Sequence, residues 1–278
     1  MRYLITGAKG QLATEFIKHF QQQSVEYFAF SKEELDITNF DTVYKTLKEI
    51  KPDVVINCAA YNLVDNAEKE PEKAYSINAV GPYNLALASK EIKAKFIHYS
   101  TDYVFDGTKE GLYTEEDTPN PLNEYGKSKL LGENLAKINE NSLIFRVSWI
   151  YGEGKQNFLY KLLSWAKDNE VLKVAINEFS VPTSTSFIVD KTLKAINKEL
   201  RGLYHLVPNG YASRYEWAKL ILKNYGIKKI IIPVSKETFN LVAKRPSFSV
   251  LDSDKIQKGL NEVFEEWDEI FIRWCRTQ

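Results

Sequence analysis

The sequence predicts a Rossmann-type α/β fold: a doubly wound parallel sheet followed by a smaller C-terminal substrate-binding lobe. Three observations carry this expectation. Short apolar runs alternate with helical stretches through residues 1–150, the pattern of repeated βα units. The first run, Tyr3-Leu4-Ile5-Thr6, leads through Gly7-Ala8-Lys9-Gly10-Gln11-Leu12-Ala13 into the helical stretch Thr14–Phe20, which is the strand–glycine turn–helix context of a dinucleotide site. The run Asp53–Ala60 is apolar almost throughout, as expected of a strand covered on both faces.

The elements follow in order. In the glycine turn the spacing is G-x-x-G-x-x-A. Gly7 permits the tight turn, and Gly10 permits the backbone to approach a pyrophosphate at the helix N-terminus. Ala13 is small enough for close helix–strand packing. Val25–Phe30 suits a second strand. Thr42–Ile50 suits a helix, capped by Asn39 or Asp41 and stopped by Pro52. Pro71–Ser89 reads as one long helical stretch containing Gly81-Pro82, Lys95–Ser100 as a strand, Tyr125–Ile138 as a helix and Ser142–Trp149 as a strand. Beyond Tyr151-Gly152 the pattern loosens. Helices are expected over Asn157–Lys167, Phe187–Leu200 and Arg214–Tyr225. Strands are expected over Val171–Ile176, Leu203–Leu206 and Lys229–Pro233, with Val181-Pro182-Thr183 as an extended linker. The expected division is a dinucleotide-binding domain over 1–150, its sheet completed by part of 171–200, and a lobe over 151–278 that is mainly substrate-binding.

Composition bounds the function. Lys plus Arg and Asp plus Glu are 37 each in 278 residues, so no net charge draws the chain to nucleic acid or an anionic membrane. Cys58 and Cys275 are the two cysteines and form neither a disulfide framework nor a metal-type spacing. No apolar run reaches membrane-spanning length, and no signal-type segment precedes the first strand. The expectation is a soluble, cytoplasmic protein.

Ligands of such sheets bind beyond the C-terminal strand ends. These ends deliver the Gly7–Leu12 turn, Ser31-Lys32, Ala60-Tyr61-Asn62, Ser100-Thr101-Asp102-Tyr103 and Ser148-Trp149. Tyr125 and Lys129 are spaced to share one helix face. An ammonium beside a phenol favours the phenolate and is expected to lower the Tyr125 pKa toward working pH, where the group exchanges a proton with a carbonyl or alcohol oxygen. No acid stands at the end of the second strand to bind a ribose 2′-hydroxyl, and Ser31-Lys32 suits the 2′-phosphate of NADPH. NADPH is therefore the expected cofactor, with NADH usable. His98, among apolar neighbours, reads as a satisfied core or surface histidine and Lys127 as a solvated helix residue. Arg245 is either a surface charge or a bidentate partner for a diphosphate.

These residues resemble the extended short-chain dehydrogenase/reductases and, within them, the dTDP-4-dehydrorhamnose reductases, which catalyse the last step of dTDP-L-rhamnose synthesis. The resemblance runs nearly end to end. It is carried by Gly7–Leu12, Leu35–Thr38, Pro52–Asn57, Ala59–Asp65, Asn78–Ala86, Ser100–Gly107, Tyr125–Glu133, Ser148–Gly152, Asn157-Phe158, Pro182-Thr183, Gly202–His205 and Arg245-Pro246. Ser-Thr-Asp-Tyr-Val-Phe-Asp-Gly followed by Tyr-Gly-Lys-Ser-Lys is its most specific part.

The resemblance implies a dTDP-sugar substrate and roles residue by residue. Tyr125 is implied as proton donor to the sugar C4 oxygen, and Lys129 as holder of the nicotinamide ribose. Thr101 is implied to stabilise charge on the reacting oxygen. Gly7, Gly10, Gln11 and Leu12 are implied at the pyrophosphate, and Asp36, Ile37, Ala60, Tyr61, Asn62 and Tyr99 along the adenosine and ribose side. Thr101, Asp102, Tyr103, Trp149 and Arg245 are implied at the substrate. A homodimer is within the family's range. Glu15 matches a position that holds interface magnesium in some members, but no metal is expected from a single carboxylate.

Departures from the family pattern fall mostly in the substrate half. They are Ala13 and Asn62, the segment Asn177–Thr183 in place of Asp-Gln-x-Gly-x-Pro-Thr, and Ser247-Phe248-Ser249. Two other readings stay open at this level: an epimerase or dehydratase of sugar nucleotides on the same fold, and a non-enzymatic subunit resembling the regulatory beta subunit of methionine adenosyltransferase.

Overall fold

The computed structural model describes residues 1–277. Its centre is a six-stranded sheet. Five strands come from residues 1–150: β1 (Tyr3–Thr6), β2 (Tyr27–Phe30), β3 (Val54–Asn57), β4 (Lys95–Thr101) and β5 (Ser142–Val147). From one edge the order is Gly202–His205, β5, β4, β3, β1, β2, and every pairing is parallel. β1, β3, β4 and β5 are buried along their whole length, which explains why apolar residues dominate them; the mid-strand polar exceptions His98 and Arg146 are buried with them.

Side chains alternate between the two sheet faces. Ile5, Ile56, Ile97 and Phe145 join Phe16 and Phe20 of the Gln11–Gln22 helix and Ile188 of the Thr185–Asn197 helix. Leu4, Val55, Phe96 and Ile144 join Leu47 of the Phe40–Ile50 helix and Leu85 of the Gly81–Glu91 helix. Each such fully buried side chain contributes roughly 1.5–3 kcal/mol. A third cluster, with Trp149, Tyr151, Leu162, Trp217 and Phe271, is the core of the C-terminal lobe.

The structure differs from the sequence expectation in three places. The sixth strand of the sheet is Gly202–His205, beside β5, and not part of 171–200. Val171–Ala175 instead pairs with Ile230–Val234 in a separate parallel ribbon; its own residues announce a strand but not its partner. The stretch expected as one helix over Pro71–Ser89 is Pro71–Tyr75, a π-helical turn Ser76–Val80, and Gly81–Glu91. Residues around the expected linker pair as short strands, Phe179–Ser180 with Ala212–Ser213 and Thr183–Ser184 with Ile150–Tyr151, stitching the lobe to the end of β5. Among the described residues no helix is long and apolar enough to cross a membrane.

Candidate active site

At the end of β1, Gly7 has φ +70, and a Cβ there would lie 2.8 Å from the Ala59 backbone nitrogen. Only glycine fits this approach. Gly10 caps the following helix without any side-chain hydrogen bond, so the first helical N–H groups, those of Gln11 and Leu12 among them, stay available to an anion. A turn that excludes a Cβ and an uncapped helix start together fit a pyrophosphate.

A polar layer fixes the next loop. The Thr6 hydroxyl donates to Asn57 Oδ1 at 2.7 Å, the Ala59 N–H donates to the same oxygen at 3.1 Å, and Asn57 Nδ2 meets His98 Nδ1 at 3.2 Å. His98 is thus a core residue, as expected, but satisfied only at Nδ1: its buried Nε2 has no hydrogen-bond partner among the described residues. Asn78, inside the π-helical turn, accepts from the Tyr61 N–H at 2.8 Å and donates to the Tyr61 carbonyl at 2.9 Å and to Ser128 Oγ at 3.0 Å. One buried amide therefore joins the Ala60-Tyr61-Asn62 loop to the helix bearing Tyr125. Asn78 was legible only as a polar residue in an apolar stretch; the extra residue of a π turn is what aims it.

That helix, Glu124–Ala136, starts at Asn123, whose side chain accepts from the Gly126 N–H at 2.8 Å. A Cβ at Gly126 would strike the Tyr103 carbonyl and one at Gly132 the Asn78 carbonyl, so both glycines let the helix lie flat on its neighbours. Lys129, 3% exposed, donates from Nζ to the Tyr99 carbonyl at 2.5 Å. Burial lowers its pKa from 10.5 to about 8, with Glu133 pulling the other way. Tyr125 stacks edge-on to Tyr103, with ring centroids 5.9 Å apart. Its pKa is pushed up to about 12, first by burial, with the Thr101 hydroxyl opposing and Asp102 adding. The sequence expectation was a lowered value. In the folded chain desolvation of the phenolate outweighs any help from Lys129, whose ammonium is turned to the Tyr99 carbonyl.

Thr101 donates to Asp102 Oδ1 at 3.1 Å and accepts from the Tyr103 N–H at 3.2 Å. Asp102 is buried, and its Oδ2 accepts from Ser180 at 2.8 Å and Ser249 at 2.6 Å. Burial raises its pKa to about 6, against the pull of these hydroxyls and of Arg214. Ser180 and Ser249 belong to the two segments that depart from the family pattern, and both converge on this carboxylate.

The remaining expected residues are placed less directly. Asp36 Oδ1 accepts from the Thr38 N–H and hydroxyl at 2.9 and 2.8 Å, and Ile37 is buried against Gly81. The Tyr99 hydroxyl meets Thr192 at 2.8 Å inside the core, so Tyr99 faces the site through its carbonyl. Beyond β2, the Ser31 N–H donates to Glu34 and Lys9 pairs with Glu33 at 2.9 Å, so acids border the position expected for a 2′-phosphate. Arg245 is held by Asp65, through Nη2 at 2.6 Å and Nη1 at 3.2 Å, and also donates to the Ala243 carbonyl at 2.9 Å. Trp149 is 9% exposed, and the guanidinium of Arg214 lies 3.6 Å over its ring. Sequence reasoning missed Arg214, because a lone arginine opening a helix carries no signal of the aromatic ring it covers.

Residues 1–275 match the RmlD substrate binding domain family. The spore coat polysaccharide biosynthesis protein SpsK of Bacillus subtilis is 37% identical over 93% of this chain and 91% of its own. The dTDP-4-dehydrorhamnose reductase of Escherichia coli K12 is 36% identical over 96% of this chain and 94% of its own. Among solved structures, a dTDP-4-dehydrorhamnose reductase from Clostridium acetobutylicum superposes with TM-score 0.96 at 39% identity, covering 100% of this chain and 99% of that one. The Bacillus anthracis enzyme, solved with NADP, gives TM-score 0.96 at 36% identity, with the same coverage. A Thermus thermophilus UDP-glucose 4-epimerase, at 16% identity and TM-score 0.81 over 99% of each chain, shares the fold. With the expected strand-end residues gathered at one edge of the sheet and these relatives matched over nearly their full length, the chain belongs to the RmlD family, that of the dTDP-4-dehydrorhamnose reductases.

Proposed function

We propose that the chain reduces the C4 keto group of dTDP-4-dehydro-L-rhamnose to give dTDP-L-rhamnose, with NADPH as a consumed cosubstrate. The observation that carries this reading is the arrangement around Tyr125: its ring stands edge-on to Tyr103 next to Thr101, and the same helix carries Lys129, whose ammonium is anchored on the Tyr99 carbonyl. Burial pushes the phenol up to about 12, which favours the protonated form that reduction of a ketone requires.

The residues present fit the cofactor. The Gly7 turn and the uncapped N-terminus behind Gly10 suit its pyrophosphate, with Gln11 and Leu12 as backbone donors. Asp36 keeps Oδ2 for a ribose hydroxyl, and Ile37, Ala60, Tyr61 and Asn62 border the adenosine side. Lys129, anchored on the Tyr99 carbonyl, suits a ribose hydroxyl at the nicotinamide end. NADPH, when bound, supplies the hydride. Tyr125 holds the proton destined for the C4 oxygen. Thr101 donates a hydrogen bond to Asp102 Oδ1, and its hydroxyl also opposes the burial-driven rise of the Tyr125 pKa, which suits the role of stabilising charge that develops beside the phenol. A dehydratase needs a further acid–base pair beside this threonine; here Asp102 is enclosed by serines, and burial pushes the Tyr103 phenol well above its ordinary range.

Comparing kcat/KM for NADPH and NADH with dTDP-4-dehydro-L-rhamnose tests the cofactor half of the reading. A preference for NADPH with NADH usable is expected; a strong NADH preference contradicts it. Localisation in the cytoplasm and assembly as a homodimer belong to the same proposal; fractionation and sedimentation velocity check them.

A further inference from the structure

Two arginines stand at the substrate side of the catalytic strand ends, and their hydrogen bonding is unequal. Arg245 is committed. Its Nη1 and Nη2 both bind Asp65, and Nη1 also serves the Ala243 carbonyl. That pair ties the lobe segment 243–245 to the short helix Val64–Ala67, and a diphosphate would have to displace a carboxylate already bound in bidentate fashion.

Arg214 is built differently. It opens the helix Arg214–Asn224, whose capping box of Ser213 and Glu216 already serves the helix end. Its backbone N–H donates to the Glu178 carbonyl at 3.1 Å, and its Nε donates to Glu178 Oε1 at 3.2 Å. The guanidinium lies flat on an aromatic floor: 3.6 Å from the Trp149 ring centre, 4.9 Å from Phe158 and 5.8 Å from Trp217. Trp149 itself is held at φ +38, a costly conformation for a bulky residue that fixes the ring at the end of β5. The side chain of Arg214 is 18% exposed. Among the described residues neither terminal nitrogen, Nη1 nor Nη2, has a hydrogen-bond partner. Beneath it the Trp149 indole N–H is enclosed and also without a partner. The guanidinium is close enough to Asp102 and Tyr103, next to Thr101, to act on both through its charge.

A planar cation with its inner edge anchored, its face stacked and its outer fork unpaired is preorganised for a bidentate oxyanion. Stacking spares the rotamer entropy that a free arginine would lose on binding. We propose that Arg214, rather than Arg245, is the residue that receives the diphosphate of the sugar nucleotide, and that Trp149 acts as its pedestal rather than as a bare wall for the sugar. This rests on the substrate class proposed above and adds the residue that holds the diphosphate.

The test is calorimetric titration of dTDP, UDP and thymidine into the full chain saturated with NADP, for the parent, Arg214→Met, Arg214→Lys and Arg245→Met. Losing charge-assisted hydrogen bonds to a phosphate should weaken dTDP about 10- to 100-fold in Arg214→Met. Thymidine and NADP affinities should hold, and Arg214→Lys should fall between, since it restores charge without the fork. Arg245→Met should change the dTDP/thymidine affinity ratio by less than Arg214→Met does. In turnover, Arg214→Met should raise KM for the nucleotide sugar more than it lowers kcat. Unchanged dTDP affinity in Arg214→Met overturns the inference. So does an equal loss of dTDP and thymidine, which would mean that Arg214 only props up Trp149. If Arg214→Met does not fold, the Arg214→Lys ratio decides by the same criterion. A parent that binds UDP and not dTDP overturns the thymidine part of the proposed function while leaving the Arg214 comparison to be read on UDP; a parent that binds neither overturns the inference itself.

Discussion

Replacing Lys129 by methionine should separate stability from activity. The residue is 3% exposed, and burial lowers its pKa from 10.5 to about 8. That drop corresponds to roughly 3 kcal/mol of unfavourable burial of charge at neutral pH. A methionine side chain is close in length to that of lysine and apolar, so the penalty disappears in the variant. Against this, the Tyr99 carbonyl loses a charged donor, a loss of roughly 1.5–3 kcal/mol. The variant should therefore be as stable as the parent, or up to roughly 1.5 kcal/mol more stable, at about pH 7. A gain of that size moves Tm by about 4 °C or less in a chain this long. The pH dependence gives a second signature. The folded-state value of Lys129 lies below its unfolded value, so between them the unfolded chain binds more protons and parent stability rises with pH. The methionine variant lacks this contribution. Its advantage should shrink by roughly 2.5 kcal/mol between about pH 7 and about pH 10, while titrations common to both chains cancel. Turnover should drop at every pH. Denaturant unfolding of both proteins across this range is the assay. A variant several kcal/mol less stable than the parent, by a margin independent of pH, would refute the account of Lys129 as a buried charge held for function.

Two further outcomes follow from the same geometry. Tyr125→Phe should cut turnover by roughly 10²- to 10⁴-fold with NADPH affinity kept, read by steady-state kinetics and cofactor titration; near-normal turnover would remove Tyr125 as the acid. Arg245→Met should cost roughly 1–3 kcal/mol in urea unfolding at neutral pH, because it strands a partly buried carboxylate. The Asp65 pKa lies below its ordinary value, held there by Arg245 and the Ala243 N–H against the opposing effect of burial. The stabilisation from the pair should be complete above the unfolded carboxylate range and vanish as pH falls through the lower folded value, which unfolding at acid pH would show as convergence of the two proteins.

Much of this fold can be read in the sequence because apolar residues dominate fully covered strands: β1 and β3 are apolar up to one terminal polar residue, and β4 and β5 carry apolar neighbours around His98 and Arg146. The ends of those runs also name the site, since the sheet's topology brings them to one edge. Pairing is less legible. Val171–Ala175 has strand character, but its partner Ile230–Val234 is chosen by lobe packing far along the chain. The π-helical turn at Ser76–Val80 shifts the helical phase by one residue inside a short stretch that Gly81-Pro82 interrupts at once, so the shift does not stand out in the pattern. The Tyr125–Lys129 spacing was visible, but the sign of the phenol's shift was not. Spacing gives proximity, whereas burial is a property of the assembled core. Arg214 escaped for a related reason: its aromatic floor is assembled from Trp149, Phe158 and Trp217, three separate segments.

The central claim is that the nicotinamide is consumed in reducing a ketone, not retained. The most direct measurement purifies the chain without added cofactor, quantifies bound nicotinamide, and then counts NADPH oxidised against dTDP-L-rhamnose formed. The account predicts little retained cofactor and one NADPH oxidised for each sugar reduced. Tightly retained NAD, with sugar conversion and no net NADPH oxidation, would contradict it and assign the site to an epimerase or dehydratase.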